Sequence, residues 1–556
     1  MVTPELMPDI VLRGGKVLTV DKNFTVTTAL AITGDRITAV GDDATALIGP
    51  DTRVIDLDGR AVLPGINDAH LHLAMFGQSR RNADLTTVDS VPALRAALRE
   101  HSPRGGWLIG EGWREANIPD LEPHRTVIDP VTDDVPTVLN HASRHSILVN
   151  TAALRVAGID RDTPDPVGGV IVRDRDGEPT GMLLESAGEL VTRHIPALST
   201  EERHDAIVDG MRVLNTLGVT SVTDPIVWPE LLRDYTVLHQ QGRLTVRVNA
   251  LLHWDWPSPT TSLDRLRTML DQSGVATGLG DGRLRIGGVK LFADGVPSHG
   301  TAWLHDPYPD GTSGHLVTPG ADDHARYSHL LDLIEVVHRH RLQAQIHVTG
   351  DRAADAAADG IIRAQQQDPW PDARHALIHG TLLAPETIRR LGQHQIGVIT
   401  SSLMRTYSGA TISAAVGTER WSQAFPAGAL LEAGAPVADS SDAPVCFPDW
   451  RRGLATFTGV ATNPLAEVPS GLRLTREQAI RLWTANAAYF EHAEHHKGSL
   501  TPGRLADLVV LDQDPLTVPD SALTGLQPEL TIVGGRVVYD RSAEGRSTAV
   551  GGRRER

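Results

Sequence analysis

The sequence predicts an α/β protein: a (β/α)8 TIM-type barrel with an insertion after its first strand and a β-sandwich composed of both chain termini. Three observations carry this expectation. Short apolar runs alternate with amphipathic stretches of helical period through most of the chain. The interval between the first and second of these runs is far too long for a single crossover. Both ends carry β-branched runs punctuated by glycines.

At the start, DIVLRGGKVLTV and TTALAITGDRITAVG are broken at Gly14-Gly15 and Gly34-Asp35. Glycines there supply the positive φ of a hairpin turn, so both are read as hairpins. The runs expected as barrel strands follow in order: RAVLPGINDAHLH, TSVTDP, TVRVNALLHW, LRIGGVKLFADG, QAQIHVTG, RHALIHGT, IGVITSS and APVADSSDAP. Between Gly77 and Leu198 the pattern is irregular and rich in Pro, Gly and Trp, which suits an inserted unit with its own small fold. Near the end, RLADLVVLD and LTIVGGRVVYD repeat the opening style, Gly534-Gly535 preceding Arg536-Val537 as Gly14-Gly15 precedes Lys16-Val17. The expected division is therefore residues 1–60 plus 497–556 as a composite sandwich and 61–496 as the barrel, with the insertion at about 77–198. The last six residues, GGRRER, read as a frayed polar tail.

A chain of 556 residues has room for two or three such units. With 40% hydrophobic and 22% charged residues it fits neither disorder, collagen nor coiled coil. The 52 Lys+Arg against 69 Asp+Glu leave a net charge of −17, which argues against nucleic-acid and anionic-membrane partners and does not name a substrate. A single cysteine, Cys446, excludes an intrachain disulfide and any multi-cysteine metal site. No basic-then-apolar leader opens the sequence and no apolar run reaches about 18 residues, so a cytoplasmic location is expected.

Chemistry concentrates in Asn67-Asp68-Ala69-His70-Leu71-His72. On a strand, residues two apart share a side, so His70 and His72 could chelate one ion at the barrel mouth. His338 and His340 have the same spacing within a helical pattern, where residues two apart diverge by about 200°; they are read as solvated surface. His492-Ala493-Glu494-His495-His496 lacks the HExxH order and is read as a polar helix end. Lys290, His347, His379 and Asp442 each fall at or near the end of an expected strand. Barrel active sites form at that face from several strand ends. Each residue alone has a bland explanation, as ion pair, core histidine or helix cap; together they are hard to obtain by chance.

With PGINDAHLH, HASRHSILVNTAALRVAGI, GVKLFADG, HVTGDRAADAA, LIHG, SSDAPV and GSLTPGRLADLVVLD in view, the chain resembles the amidohydrolase superfamily over nearly its whole length. The branch is family 3, which includes N-substituted formamide deformylases. The resemblance implies two divalent ions. His70 and His72 would bind the more buried one, His347 and His379 the second, and Lys290 would bridge them as an Nζ-carboxylate, because an ammonium would repel two cations. Asp442 would ligate a metal and act as catalytic proton shuttle. Four imidazoles with carboxylates and no thiolate suit Zn²⁺, with Mn²⁺, Fe²⁺ or Co²⁺ compatible.

The resemblance implies a small-molecule substrate as the partner, and the expected activity is metal-assisted cleavage of a C–N bond in a small non-peptide amide. Ester, carbamate or cyclic-amide hydrolysis on the same site, a phosphotriester hydrolase, and a non-catalytic scaffold are the alternatives. His145, Trp113 and Trp303 are the expected substrate contacts; Asp294, Gly295, Asp351 and Arg352 are expected to hold ligating groups by hydrogen bonds. Cys446 is read as buried packing, and a homo-oligomer, a dimer, is expected.

Overall fold

The computed structural model describes residues 7–166, 169–256, 258, 260–461 and 463–543. The GGRRER segment lies outside them. The chain is α/β, and eight parallel strands form a nearly closed barrel: β1 (Ile66–Asp68), β2 (Val219–Val227), β3 (Arg247–Leu252), β4 (Leu284–Phe292), β5 (Gln343–Val348), β6 (Ala376–His379), β7 (Gly397–Thr400) and β8 (Val437–Asp439). Each pairs with the next in chain order, as helical returns between parallel strands dictate. Beyond the ladder, Ala69 N–H donates to the Asp439 carbonyl at 3.4 Å and Asp442 N–H to the His70 carbonyl at 2.8 Å, drawing β8 towards β1. All nine residues of β2 and all six of β3 and β5 are buried. Strands covered on both faces need no solvent-facing side, and the polar residues they carry, such as Gln343 and Gln345 of β5, are buried too.

The run RAVLPGINDAHLH is not one strand. It divides at Gly65 between Ala61–Pro64, which joins the terminal sheet, and β1. A Cβ at Gly65 would lie 2.1 Å from Thr220 Oγ1, so only glycine lets the chain cross between sheets with β2 packed against it.

Both ends of the chain meet in one eight-stranded sheet. Leu508–Leu511, Pro528–Val533 and Arg536–Asp540 join Ile10–Leu18, Val26–Thr33, Arg36–Val40 and Arg53–Asp56 through Ala61–Pro64, which pairs antiparallel with Leu508–Leu511. Gly34-Asp35 and Gly534-Gly535 are hairpin turns. Gly14-Gly15 is not. It is a bulge inside the strand Ile10–Leu18, whose first half pairs with Arg53–Asp56 and whose second half pairs with Ala61 and Val62. A glycine pair can bend a strand between two partners as readily as reverse it. The sheet is fastened to the start of β3 by Arg247, which donates to both oxygens of buried Asp507 at 2.6 and 2.8 Å.

The inserted segment carries a six-stranded sheet in the spatial order Ala83–Asp84, Leu108–Trp113, Thr137–His141, Ser146–Val149, Pro179–Glu185, Gly169–Arg173. Successive residues feed opposite faces: Leu139 and Leu148 join one apolar cluster with Leu94 and Trp113, while Val138 and Ile147 join another with Leu154. Arg114 ties this unit to the barrel mouth, donating to Ser408 Oγ at 3.1 Å and to the Val445 carbonyl at 2.9 Å.

His338 lies on a helix, Asp323–Arg339, but it is fully buried rather than solvated surface. That helix face packs onto the barrel. Ala344 N–H donates to His375 Nδ1 at 2.9 Å, so His375 Nε2–H points to His338 Nδ1 (2.9 Å) and His338 Nε2–H to the Asp368 carbonyl (2.6 Å). His340, at the helix end, instead meets Asp271 at 2.9 Å. Among the described residues no helix is long and apolar enough to cross a membrane.

Candidate active site

His70, His72, Lys290, His347, His379 and Asp442 all line one cavity of about 940 Å³ at the C-terminal ends of the barrel strands. His70 and His72 are not on a strand. β1 ends at Asp68, and the two histidines occupy the turn that leads into the helix Leu73–Ser79. Backbone bonds aim that turn: Leu71 N–H donates to the Thr223 carbonyl and His72 N–H to the Ala443 carbonyl, both at 2.9 Å. As a result both Nε2 atoms face Asp442 Oδ1, at 3.5 Å from His70 and 3.2 Å from His72. His379 ends β6 with φ 70° and Asp442 follows β8 with φ 56°. Left-handed backbone at a non-glycine residue costs on the order of 1–3 kcal/mol and persists where surrounding structure over-determines the side chain's direction.

The donor set suits a cation. One ligand atom from each of His70, His72 and Asp442 lies within 4.8 Å of the others. His70 Nδ1, His72 Nδ1 and Asp442 Oδ1 are buried without a hydrogen-bond partner among the described residues. Burial, reinforced by neighbouring Lys290 and histidines, holds His70, His347 and His379 well below the ordinary imidazole value, so these rings keep a lone pair. Burial also pulls the Lys290 ammonium down to about 7, against the opposing pull of Asp442.

Hydrogen bonds select which ring nitrogen is available. His347 Nε2–H donates to the Gly295 carbonyl at 3.0 Å, leaving Nδ1 as its acceptor. For His379 the direction propagates along a chain. Ser440 Oγ–H donates to the Thr400 carbonyl at 2.8 Å, so it accepts from Ser401 Oγ–H (3.2 Å), and Ser401 in turn accepts from His379 Nδ1–H (3.0 Å). Nε2 of His379 is left with its lone pair.

Asp294, two residues past β4, accepts from Thr349 N–H at 3.0 Å, Gly350 N–H at 2.8 Å and Trp303 N–H at 3.0 Å, joining the end of β4 to the end of β5. Asp68 accepts from Ser441 N–H at 3.0 Å and so joins β1 to the loop that carries Asp442. Burial pushes both carboxyls up to about 7. Asp351 accepts from His305 N–H at 3.0 Å, and Arg352 lies 4.2 Å over the Trp303 ring.

The expected substrate contacts divide. His145 lines the cavity, its ring 6.2 Å from that of His347 and its Nδ1 2.9 Å from Glu185 Oε2. Trp113 and Trp303 are not among the lining residues. Trp113 is fully buried in the insertion's own core, donating to the Leu139 carbonyl at 3.1 Å, and Trp303 is enclosed beneath Arg352. The tryptophans that do line the cavity are Trp228 and Trp256, stacked at 5.5 Å and 14°. Their signal in the sequence was position: each follows a barrel strand, β2 or β3, within four residues. Cys446 is buried, and burial pushes its thiol up to about 12.

A parallel barrel with imidazoles, a lysine and an aspartate convergent at its C-terminal mouth defines a class of hydrolase-like folds. The amidohydrolase family pattern matches residues 53–539, and the chain belongs to that family. It is 30% identical to YtcJ of Bacillus subtilis (strain 168), a protein carrying an amidohydrolase name, over 89% of this chain and 92% of the other. It is 28% identical to the N-substituted formamide deformylase of Arthrobacter pascens, over 96% and 99%. A crystal structure of an uncharacterized metal-dependent hydrolase from Pyrococcus furiosus superposes with a TM-score of 0.71 at 27% identity, over 91% of this chain and all of that one.

Proposed function

We propose that this protein is a metal-dependent hydrolase that cleaves the C–N bond of a small non-peptide amide. The observation that carries the reading is the convergence of His70, His72 and Asp442 within 4.8 Å, with Lys290, His347 and His379 lining the same cavity. The names of the Arthrobacter and Pyrococcus relatives support the bond class and the metal dependence. In this reading His70, His72 and Asp442 hold one divalent ion and His347 and His379 a second, zinc in both positions. Lys290 would be carboxylated at Nζ and supply anionic oxygens to the metal site; a lysine pulled down to about 7 is available as the free amine that adds to carbon dioxide with loss of a proton.

A bound divalent ion lowers the pKa of water from 15.7 towards about 7 and polarises a carbonyl oxygen. The protein's own part is positioning and proton transfer. Asp442, its Oδ1 buried and directed between two imidazoles, accepts the proton of the attacking water and returns it to the departing nitrogen. His145, held by Glu185, donates towards the substrate carbonyl oxygen from the insertion side. The insertion contributes Ile109, Asn140, His145 and Leu183 to the cavity wall.

Among the described residues we also assign 7–64 with 497–543 to a terminal unit and the stretch between them to the barrel unit with its insertion, because Ala61–Pro64 pairs within the terminal sheet. Elemental analysis of the purified protein, paired with a panel of formamides, N-acyl amines, esters and carbamates, tests the function. One to two equivalents of transition metal and a preference for amides are expected. Less than about one equivalent, or no amide turnover after metal addition, would sink it.

A further inference from the structure

We infer that Arg144 is a recognition point for a carboxylate on the substrate, so that the amide hydrolysed carries a negative charge away from the scissile bond. This rests on the hydrolase reading above and deepens it. Arg144 occupies the tip of the hairpin between Thr137–His141 and Ser146–Val149, beside His145, and lines the same cavity. Its backbone is left-handed, φ 65°, where glycine or asparagine would sit at lower cost.

A buried carboxylate, Glu111, stands beside the guanidinium as its ion-pair partner. Glu111 Oε2 meets Arg144 Nη2 at 2.9 Å, and Glu111 Oε1 accepts from Asn82 Nδ2 at 2.8 Å and Asn140 Nδ2 at 3.1 Å. Glu111 Oε1 is thus held by two amides, while its Oε2 pairs with the arginine by charge alone, without a hydrogen bond among the described residues. A guanidinium has five N–H donors in a fixed fork. Among the described residues only Arg144 Nη2 has a side-chain partner, and the side chain keeps 27% exposure towards the cavity. The remaining donors suit a bidentate carboxylate.

The charges along the wall are largely paired. Of the four carboxylates that line the cavity, Asp442 belongs to the His70–His72 cluster, Glu111 is paired with Arg144 and Glu185 with His145, which leaves Glu189. On the cationic side Arg203 is committed to Asp234 at 2.6 and 3.1 Å and Lys290 to the centre. Among the described residues Arg193 is held only through Nε, on the Glu189 carbonyl at 3.0 Å. With Arg144 offset by Glu111 and Arg193 by Glu189, an anion is drawn by the unfilled donors of the Arg144 fork and not by net charge. The stacked Trp228 and Trp256 provide the apolar wall against which the rest of such a substrate packs.

Calorimetric titration with 4-phenylbutyrate and its neutral counterpart 4-phenylbutyramide tests this in the wild type, Arg144→Gln and Arg144→Lys. The wild type is expected to bind the carboxylate roughly tenfold more tightly than the amide, a difference one charge-assisted fork can supply. Arg144→Gln should abolish that preference and Arg144→Lys retain part of it, since lysine keeps the charge without the fork. The amide should bind all three proteins equally, which shows the cavity intact. Equal affinity for both probes in the wild type would overturn the inference, as would a carboxylate preference that survives Arg144→Gln, because the anion would then be seated elsewhere. The hydrolase reading fails or stands separately: an Arg144-dependent preference with no amide turnover would remove the reaction and keep the site.

Discussion

Replacing Asp294 by asparagine removes one of the two oxygens that hold the ends of β4 and β5 together, and the cost can be worked from three hydrogen bonds. Oδ1 accepts from Thr349 N–H, while Oδ2 accepts from Trp303 N–H and Gly350 N–H. Asparagine keeps its single oxygen where two backbone donors meet it and turns its NH₂ towards Thr349, leaving one buried N–H unsatisfied. Such a group costs about 1–3 kcal/mol. If the Thr349 amide exchanges through local opening, its hydrogen exchange should accelerate roughly 10- to 100-fold while those of Trp303 and Gly350 stay close to wild type. Alanine orphans all three donors, so Asp294→Ala should accelerate all three and destabilise towards the 4–5 kcal/mol that single substitutions rarely exceed. The measurement is native-state exchange on peptides spanning these residues, at about pH 8, above the value of about 7 to which burial pushes this carboxyl. His347 lies two residues before Thr349, so the affinity for zinc, read by competition with a chelator, should fall about 10- to 100-fold in either variant. Exchange at Thr349 within twofold of wild type in Asp294→Asn, or equal effects of asparagine and alanine, would refute the reasoning.

Asp442→Asn should keep the fold and much of the metal yet lose at least about 10²-fold in turnover, because the amide cannot carry the proton; near-normal turnover would remove the shuttle role. Ser440→Ala takes away the acceptor of Ser401 Oγ–H, frees Ser401 to donate to His379 Nδ1 and shifts the ring to its other tautomer. Zinc affinity should drop about tenfold, and an unchanged affinity would break the proposed chain. Burial alone would raise the Asp507 carboxyl, but Arg247 outweighs it and holds the group below the ordinary carboxylate value. A depressed folded-state value means stabilisation fully present above the ordinary value and lost as pH falls through the lowered one. Asp507→Ala should therefore lower the unfolding temperature clearly at neutral pH, by about 3–5 kcal/mol of stability, and by much less at strongly acid pH; a loss independent of pH would rule out the ion pair as its source.

The site was legible where the chemistry is carried by local pattern. His70-Leu71-His72, and Lys290, His347, His379 and Asp442 at the ends of apolar runs, could be picked out because the end of a barrel strand is visible as the end of an apolar run. The residues that were not anticipated act across long intervals. Glu185 meets His145 from forty positions away and Ser401 meets His379 from twenty-two. Nothing near either position in the chain distinguishes these from surface serine and glutamate. The tryptophans show the same limit. Trp113 sits in a loop-like, polar stretch, EGWRE, yet its ring is swallowed by a core that forms only when the insertion's sheet closes.

By itself the sequence determined the periodicities: eight buried runs for the barrel, the paired glycines at Gly534-Gly535, the long interval that had to be an insertion, and the strand ends that carry Lys290, His347, His379 and Asp442. Those features follow from which faces a segment must bury, and burial is written locally. The tertiary structure decided what depends on who stands next to whom. It turned Gly14-Gly15 into a bulge shared by two partner strands, broke the first run at Gly65 against Thr220, buried His338 against His375, and brought His70 and His72 together through a turn rather than a strand. Glycine permits several backbone paths, and a histidine accepts several environments. In each case the neighbour across space, with its hydrogen bonds and its excluded volume, selected one.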